Sequence, residues 1–171
     1  TDGTAADTED ITITITDVGI TVTDTSANLA ETAANSATVV DVDNTGDDDI
    51  AMQWSITAGN TNGDGDGNLP FAINSGTGVI TVNDADDLDF ETTTSYTLTV
   101  QATDGATQTD TEDITITITD VAPTVTDTSA NLAETAAANA AVVTVSTTGD
   151  DDGLTWSITA GNTDGDSDGQ L

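Results

Sequence analysis

A stretch of 27 residues occurs twice in this chain. Residues 8–34 read TEDITITITDVGITVTDTSANLAETAA and return at 111–137 with two changes, Gly19 to Ala122 and Ile20 to Pro123. The displacement is 103 residues. A second match, WSITAGN at 54–60 and 156–162, is displaced by 102, so one residue drops out near the Asp clusters in between. Solenoids and propellers repeat every 20–50 residues or so. A period of this length is that of a whole domain. It divides the chain into residues 1–17, the last strand of a preceding unit, a complete unit at 18–120, and residues 121–171, the first half of a following unit. The chain is expected to be a window on a longer tandem array, or a subunit completed by its neighbours.

Within the unit the strongest local pattern is Ile11-Thr12-Ile13-Thr14-Ile15-Thr16, repeated at 114–119. Strict alternation puts every Ile on one face and every Thr on the other, as in a half-buried strand of an antiparallel sheet. Tyr96 to Ala102 alternates in the same way. Phe71-Ala72-Ile73-Asn74 and Val79-Ile80-Thr81-Val82 flank Ser75-Gly76-Thr77-Gly78, which predicts a hairpin. Further strands are expected at 37–42, at 52–58 around Trp54, and more weakly at 20–25. Residues 28–34 are helix-friendly but short and uncapped, so a bulged strand or loop is expected there. About seven short strands in about 100 residues predict an all-β fold, a Greek-key seven-stranded β-sandwich.

Composition narrows the function. The chain carries 32 Asp and Glu, no Lys, Arg, His or Cys, and a formal charge of −32. High charge with few aromatics favours disorder, but 38 Thr and the ordered alternation favour strands. Nothing here neutralises phosphates, so nucleic acid is excluded as a direct partner, as is anionic lipid held by a basic patch. Catalysis by Ser-His-Asp or Cys-His groups, His-ligated zinc and disulfides are excluded too. No apolar run approaches the 18 or so residues of a membrane span, so no membrane insertion is expected. A secretion signal, if there is one, is expected outside this stretch. A glycosidase could use two carboxylates, but no acid sits in an apolar context, and the few Trp and Tyr also argue against a sugar cleft. The chain is not expected to be an enzyme.

Six motifs, in order along the complete unit, resemble the cadherin repeat in its bacterial form. They are Asn28-Leu29-Ala30-Glu31; Asp43 with Asp47-Asp48-Asp49 ahead of Trp54-Ser55-Ile56; Phe71-Ala72-Ile73 with Thr77-Gly78-Val79-Ile80; Leu88-Asp89-Phe90-Glu91; Tyr96 to Gly105; and Asp120-Val121-Ala122-Pro123. The last is shorter than the family's linker, and the earlier linker, Asp17-Val18-Gly19-Ile20, lacks the Pro.

The acids themselves ask for a cation. Two carboxylates 4 Å apart repel by about 4 kcal/mol at an effective dielectric near 20. The available ligands are all oxygens, which suit calcium (Ca2+) better than zinc or copper. The resemblance implies calcium sites between consecutive units. One junction would use Glu31, Asp89, Glu91 and Asp120 with Asp150 and Asp152 of the following unit. The other would use Asp17 with Asp43, Asp47, Asp49 and Asp104. Independently of the family, Asp164, Asp166 and Asp168 form D-x-D-x-D-G, and Asp64 and Asp66 lie in the equivalent loop at 62–67. Alternate oxygens with a turn-forming Gly build the first half of a calcium loop, although a polar turn reads the same way.

The resemblance implies a structural module, a calcium-stiffened extracellular stalk or fibre whose partners are neighbouring repeats of the same chain or identical chains. Two alternatives remain at this point. A subunit could polymerise by β-strand complementation, or a surface module could bind carbohydrate without cleaving it.

Overall fold

The alternating segment at 114–119 lies at the centre of the fold. In the computed structural model, which describes residues 3, 9–16, 18–23, 26–46, 52–105, 108–126, 128–150 and 153–163, it ends the long strand β9 (Thr109–Thr119). Ile114, Ile116 and Ile118 are buried while the intervening Thr side chains face out. The preceding strand β8 (Ser95–Thr103) presents Tyr96, Leu98, Val100 and Ala102 to the same interior. Full burial of a side chain of this size stabilises by about 1.5–3 kcal/mol, so these two strands carry much of the core.

Two sheets enclose that core. Strand β2 (Ser26–Ala30) pairs parallel with β9, β9 pairs antiparallel with β8, and β8 pairs antiparallel with β5 (Gln53–Ala58). The second sheet orders β3 (Thr38–Asp41), β7 (Val79–Val82) and β6 (Phe71–Ile73). Trp54, Phe71, Ile80, Val82 and Leu88 fill the space between the sheets. Phe71 meets Tyr96 edge-to-face with ring centroids 5.1 Å apart. These seven strands form the expected all-β sandwich, and no helix occurs among the described residues.

The β6–β7 hairpin forms where the turn residues predict it. The Asn74 carbonyl accepts from the Gly78 amide at 2.9 Å, and Asn74 Oδ1 accepts from the Gly76 amide at 2.9 Å. Gly78 has φ +78°, and a Cβ there would sit 2.8 Å from the Val42 carbonyl and 3.1 Å from the Trp54 ring. Glycine is required by both conformation and space.

Two small ribbons repeat each other at the displacement read from the sequence. Strand β1 (Thr21–Val22) pairs with β4 (Asn44–Thr45), and β10 (Thr124–Val125) pairs with β11 (Thr147–Thr148) in the same register. Of these, β4 and its repeat β11 have no counterpart among the strands expected from sequence.

One expectation fails. Residues 11–16 have the sequence of the central β9 segment, yet they carry no strand, and Ile11, Ile13 and Ile15 are 82%, 82% and 91% exposed. Alternation specifies which face is buried but supplies no partner. Residues 114–119 have β8 and β2 on either side, whereas 11–16 have no ladder among the described residues. The same reasoning applies to Trp156, 55% exposed where its counterpart Trp54 is 5% exposed. Trp54 lies in β5 beside β8, and no such strand follows Trp156 among the described residues.

Candidate metal centre

Glu31 follows the end of β2, where the backbone turns away from the sheet. Its amide donates to the Thr119 carbonyl at 3.2 Å, which locks it to the end of β9. The side chain is buried and accepts two backbone hydrogen bonds. Oε1 takes the Val121 amide at 2.6 Å and Oε2 the Phe90 amide at 3.1 Å. One carboxylate therefore ties together the Leu88–Glu91 segment and the linker after β9. The linker is held from the other side as well, since the Val121 carbonyl accepts from the Asp150 amide at 3.0 Å.

These contacts bring Glu31, Glu91 and Asp150 to one place. One oxygen from each lies within 4.8 Å of the others, the one such trio of acids among the described residues. Desolvation pushes the Glu91 carboxyl above its ordinary value, and the negative charges of Glu31, Asp150 and Asp120 push it the same way. A cavity of about 300 Å³ adjoins the trio, lined by Glu31, Asp86, Asp89 and Asp150 among others. No cationic side chain exists anywhere in the sequence to offset these charges. The donors are all oxygens, one of them on a buried carboxylate, and they fit a hard divalent cation with flexible coordination, calcium above all.

The remaining acids are placed differently. Asp89 lines the cavity, but its own carboxylate binds Thr92, Oδ1 accepting the amide at 3.1 Å and Oδ2 the hydroxyl at 2.5 Å. The Thr92 hydroxyl holds its pKa below the usual aspartate range. Asp104 is buried at the β8–β9 turn, where its Oδ1 accepts the Gln108 amide at 3.0 Å. Asp43 is exposed, and its backbone carbonyl accepts from Thr23. Asp43 and Asp104 are the described acids of the second junction. Asp17, Asp47, Asp49, Asp152, Asp164, Asp166 and Asp168 lie outside the described residues.

The loop at 62–67 is largely self-satisfied. Asp66 accepts from the Asn68 amide at 2.7 Å and from Asn62 and Asn68 side chains, and the Asn68 amide leads in lowering its pKa. Asp64 Oδ1 accepts the Asp66 amide at 2.9 Å. Sequence reasoning missed three acids with structural roles. Asp110 Oδ2 accepts the Val22 amide at 2.8 Å, and Asp84 and Asp87 are buried. The run from Asp84 to Asp89 was visible as dense charge, but nothing in its pattern marks which acids point inward.

Residues 25–119 match the sequence model of the cadherin domain. The chain belongs to the cadherin family. Among solved structures it resembles PcdhgB3 EC1-4, at 26% identity and a TM-score of 0.51 over 64% of this chain and 27% of that one. Mouse clustered PcdhgC3 EC1-3 shares the fold at 23% identity and a TM-score of 0.51, over 61% of this chain and 34% of that one. Human Protocadherin-24 EC1-2 does so at 19% identity and a TM-score of 0.50, over 77% of this chain and 60% of that one. The chain thus spans between 27% and 60% of the length of these three cadherin structures. No curated protein matches it.

Proposed function

We propose that this chain is a structural module of an extracellular adhesive stalk or fibre, in which calcium bound between consecutive cadherin units makes the array stiff. Each unit would be one repeat, residues 18–120 here, and its partners would be the neighbouring repeats of the same chain or of identical chains. The observation that carries the reading is the meeting of Glu31 and Glu91 with Asp150 across the linker.

The mechanism follows from charge and connectivity. A short linker alone leaves adjacent domains free to move. Three carboxylates facing one another across it repel, and their repulsion opposes the aligned arrangement. A bound calcium reverses the sign of that interaction and fixes the angle between units. Glu31 positions the site because its two backbone acceptances hold the linker and the Phe90 amide together. Asp89 and Asp120 add negative potential beside the trio, and Asp152 of the following unit would complete the set. Membership of the cadherin family supports the calcium assignment and the adhesive, non-enzymatic role.

The test is small-angle scattering and thermal melting of the chain with calcium and after EDTA. Chelation is expected to broaden the distance distribution and lower the melting temperature. Unchanged scattering and an unchanged melt would refute the reading.

A further inference from the structure

A chain without Lys, Arg or His has no cationic side chain with which to neutralise a buried carboxylate. Among the described residues, two carboxylate oxygens are nevertheless buried without a hydrogen-bond partner, Asp84 Oδ2 and Asp87 Oδ2. Asp87 is only 5% exposed. It lines a cavity of about 170 Å³ together with Asp64, Asp86, Asp89, Thr92 and Thr93. We propose that this cavity is a second cation site, lying wholly within one unit and distinct from the site between units, with Asp87 as its buried anchor.

Asp87 has more acceptor capacity than the fold uses. Its Oδ1 takes the Gly63 amide at 2.6 Å and the Asp64 amide at 3.1 Å, which pins the 62–67 loop to the Asp84–Asp89 segment. Its backbone carbonyl accepts the Tyr96 hydroxyl at 2.6 Å, so the residue is held on the core side too. Pinning the loop needs one oxygen and no net charge; an asparagine would serve. The second oxygen is left buried and unsatisfied, a desolvation penalty that is larger for a charged group than for a neutral one. A cation removes that penalty, and the surroundings offer it further ligands. Asp64 and Asp86 are exposed at the rim, and Thr92 and Thr93 lie beside them.

The side-chain donors lining the cavity are carboxylates and hydroxyls, and the chain has no thiol or imidazole. That set selects a hard cation, and an irregular cavity of mixed charged and neutral oxygens favours calcium over the octahedral demands of magnesium. The volume accommodates an ion and several waters at about 30 Å³ each. Asp86 and Asp89 also line the cavity beside Glu31, so the two sites are neighbours with separate anchors. The consequence is a clamp between the 62–67 loop and the segment that carries Glu91.

The experiment is a calcium titration of the full chain, followed by calorimetry for the ion count and by the amide resonances of Gly63 and Asp64 for location. In the double variant Glu31→Gln, Glu91→Gln the site between units is removed, and the Gly63 and Asp64 amides should still shift with calcium. In Asp87→Asn, which keeps an oxygen for both amides, those shifts should vanish and the chain should bind one ion fewer than the wild type. Should Asp87→Asn fail to fold, the rim variant Asp64→Asn, Asp86→Asn decides, with a calcium affinity at this site lower by about tenfold or more. Unchanged ion count and unchanged amide shifts in the folded variants would overturn the proposal, as would loss of the shifts in the Glu31, Glu91 double variant alone.

Discussion

Replacing Glu31 by Gln separates the two tasks of one carboxylate. In the metal-free protein, Glu31 accepts the Val121 and Phe90 amides at 2.6 and 3.1 Å. Glutamine keeps one acceptor oxygen and turns an amide group toward the other donor. The lost charge-assisted hydrogen bond is worth about 1.5–3 kcal/mol, partly offset because repulsion from Glu91 and Asp150 disappears. With calcium the comparison changes. An ion at about 100 times its dissociation constant stabilises the wild type by about 2.7 kcal/mol. For a domain of this size each kcal/mol moves the melting temperature by about 4–8 °C, so the calcium-induced rise should be roughly 10–20 °C. If loss of the charged ligand weakens binding by about 100-fold, the same calcium concentration stabilises the variant by only about 0.4 kcal/mol. Its rise should then be about 2–3 °C. Circular dichroism melts of both proteins with calcium and with EDTA measure the four midpoints. An equal calcium-induced rise in wild type and variant would refute the argument, whatever the absolute stabilities.

The duplicated alternation supplies an internal control. Ile116→Ala in β9 should cost about 2–5 kcal/mol in urea unfolding, whereas Ile13→Ala at the equivalent, exposed position should change stability by less than about 0.5 kcal/mol. Gly78→Ala forces a Cβ against the Val42 carbonyl at φ +78°, and should lose about 1–3 kcal/mol by the same assay. The Glu91 carboxyl binds its proton more tightly folded than unfolded, so metal-free stability should rise as pH falls through its elevated pKa towards 4.5 and be lost again as pH rises through that window. Calcium affinity should fall over the same range, and Glu91→Gln should flatten both profiles in melts taken across pH. The lowered pKa values of Asp66 and Asp89 act in the opposite sense, withdrawing stability only below 3.8.

Much of the sandwich was legible because its strands alternate. Period-two patterning at 96–102 and 114–119 gave the buried faces of β8 and β9, and the Ser75–Gly78 turn gave the β6–β7 hairpin. The two-residue ribbon β1–β4 was not legible as a pair, because two residues carry no period. Partner choice was not legible either. Residues 11–16 and 114–119 are the same six amino acids, and among the described residues only the second set has strands on both sides. A pattern fixes which face a strand would bury; the ladder depends on what the rest of the chain places beside it.

The acids show the same limit in electrostatic form. Family motifs pointed to Glu31, Glu91 and Asp150, and the fold brings these together because backbone contacts at Thr119, Phe90 and Val121 position them. The run from Asp84 to Asp89 gave no such guide, since one-letter charge density cannot distinguish exposed Asp86 from buried Asp87. What distinguishes them is the fold's demand for amide acceptors opposite Gly63 and Asp64. A protein with basic side chains could answer the leftover negative charge internally. Here the charge of a buried carboxylate can be met only by neutral hydrogen-bond donors, a proton or an ion from solution. The acids that backbone amides leave half-satisfied are therefore the places to look for bound cations.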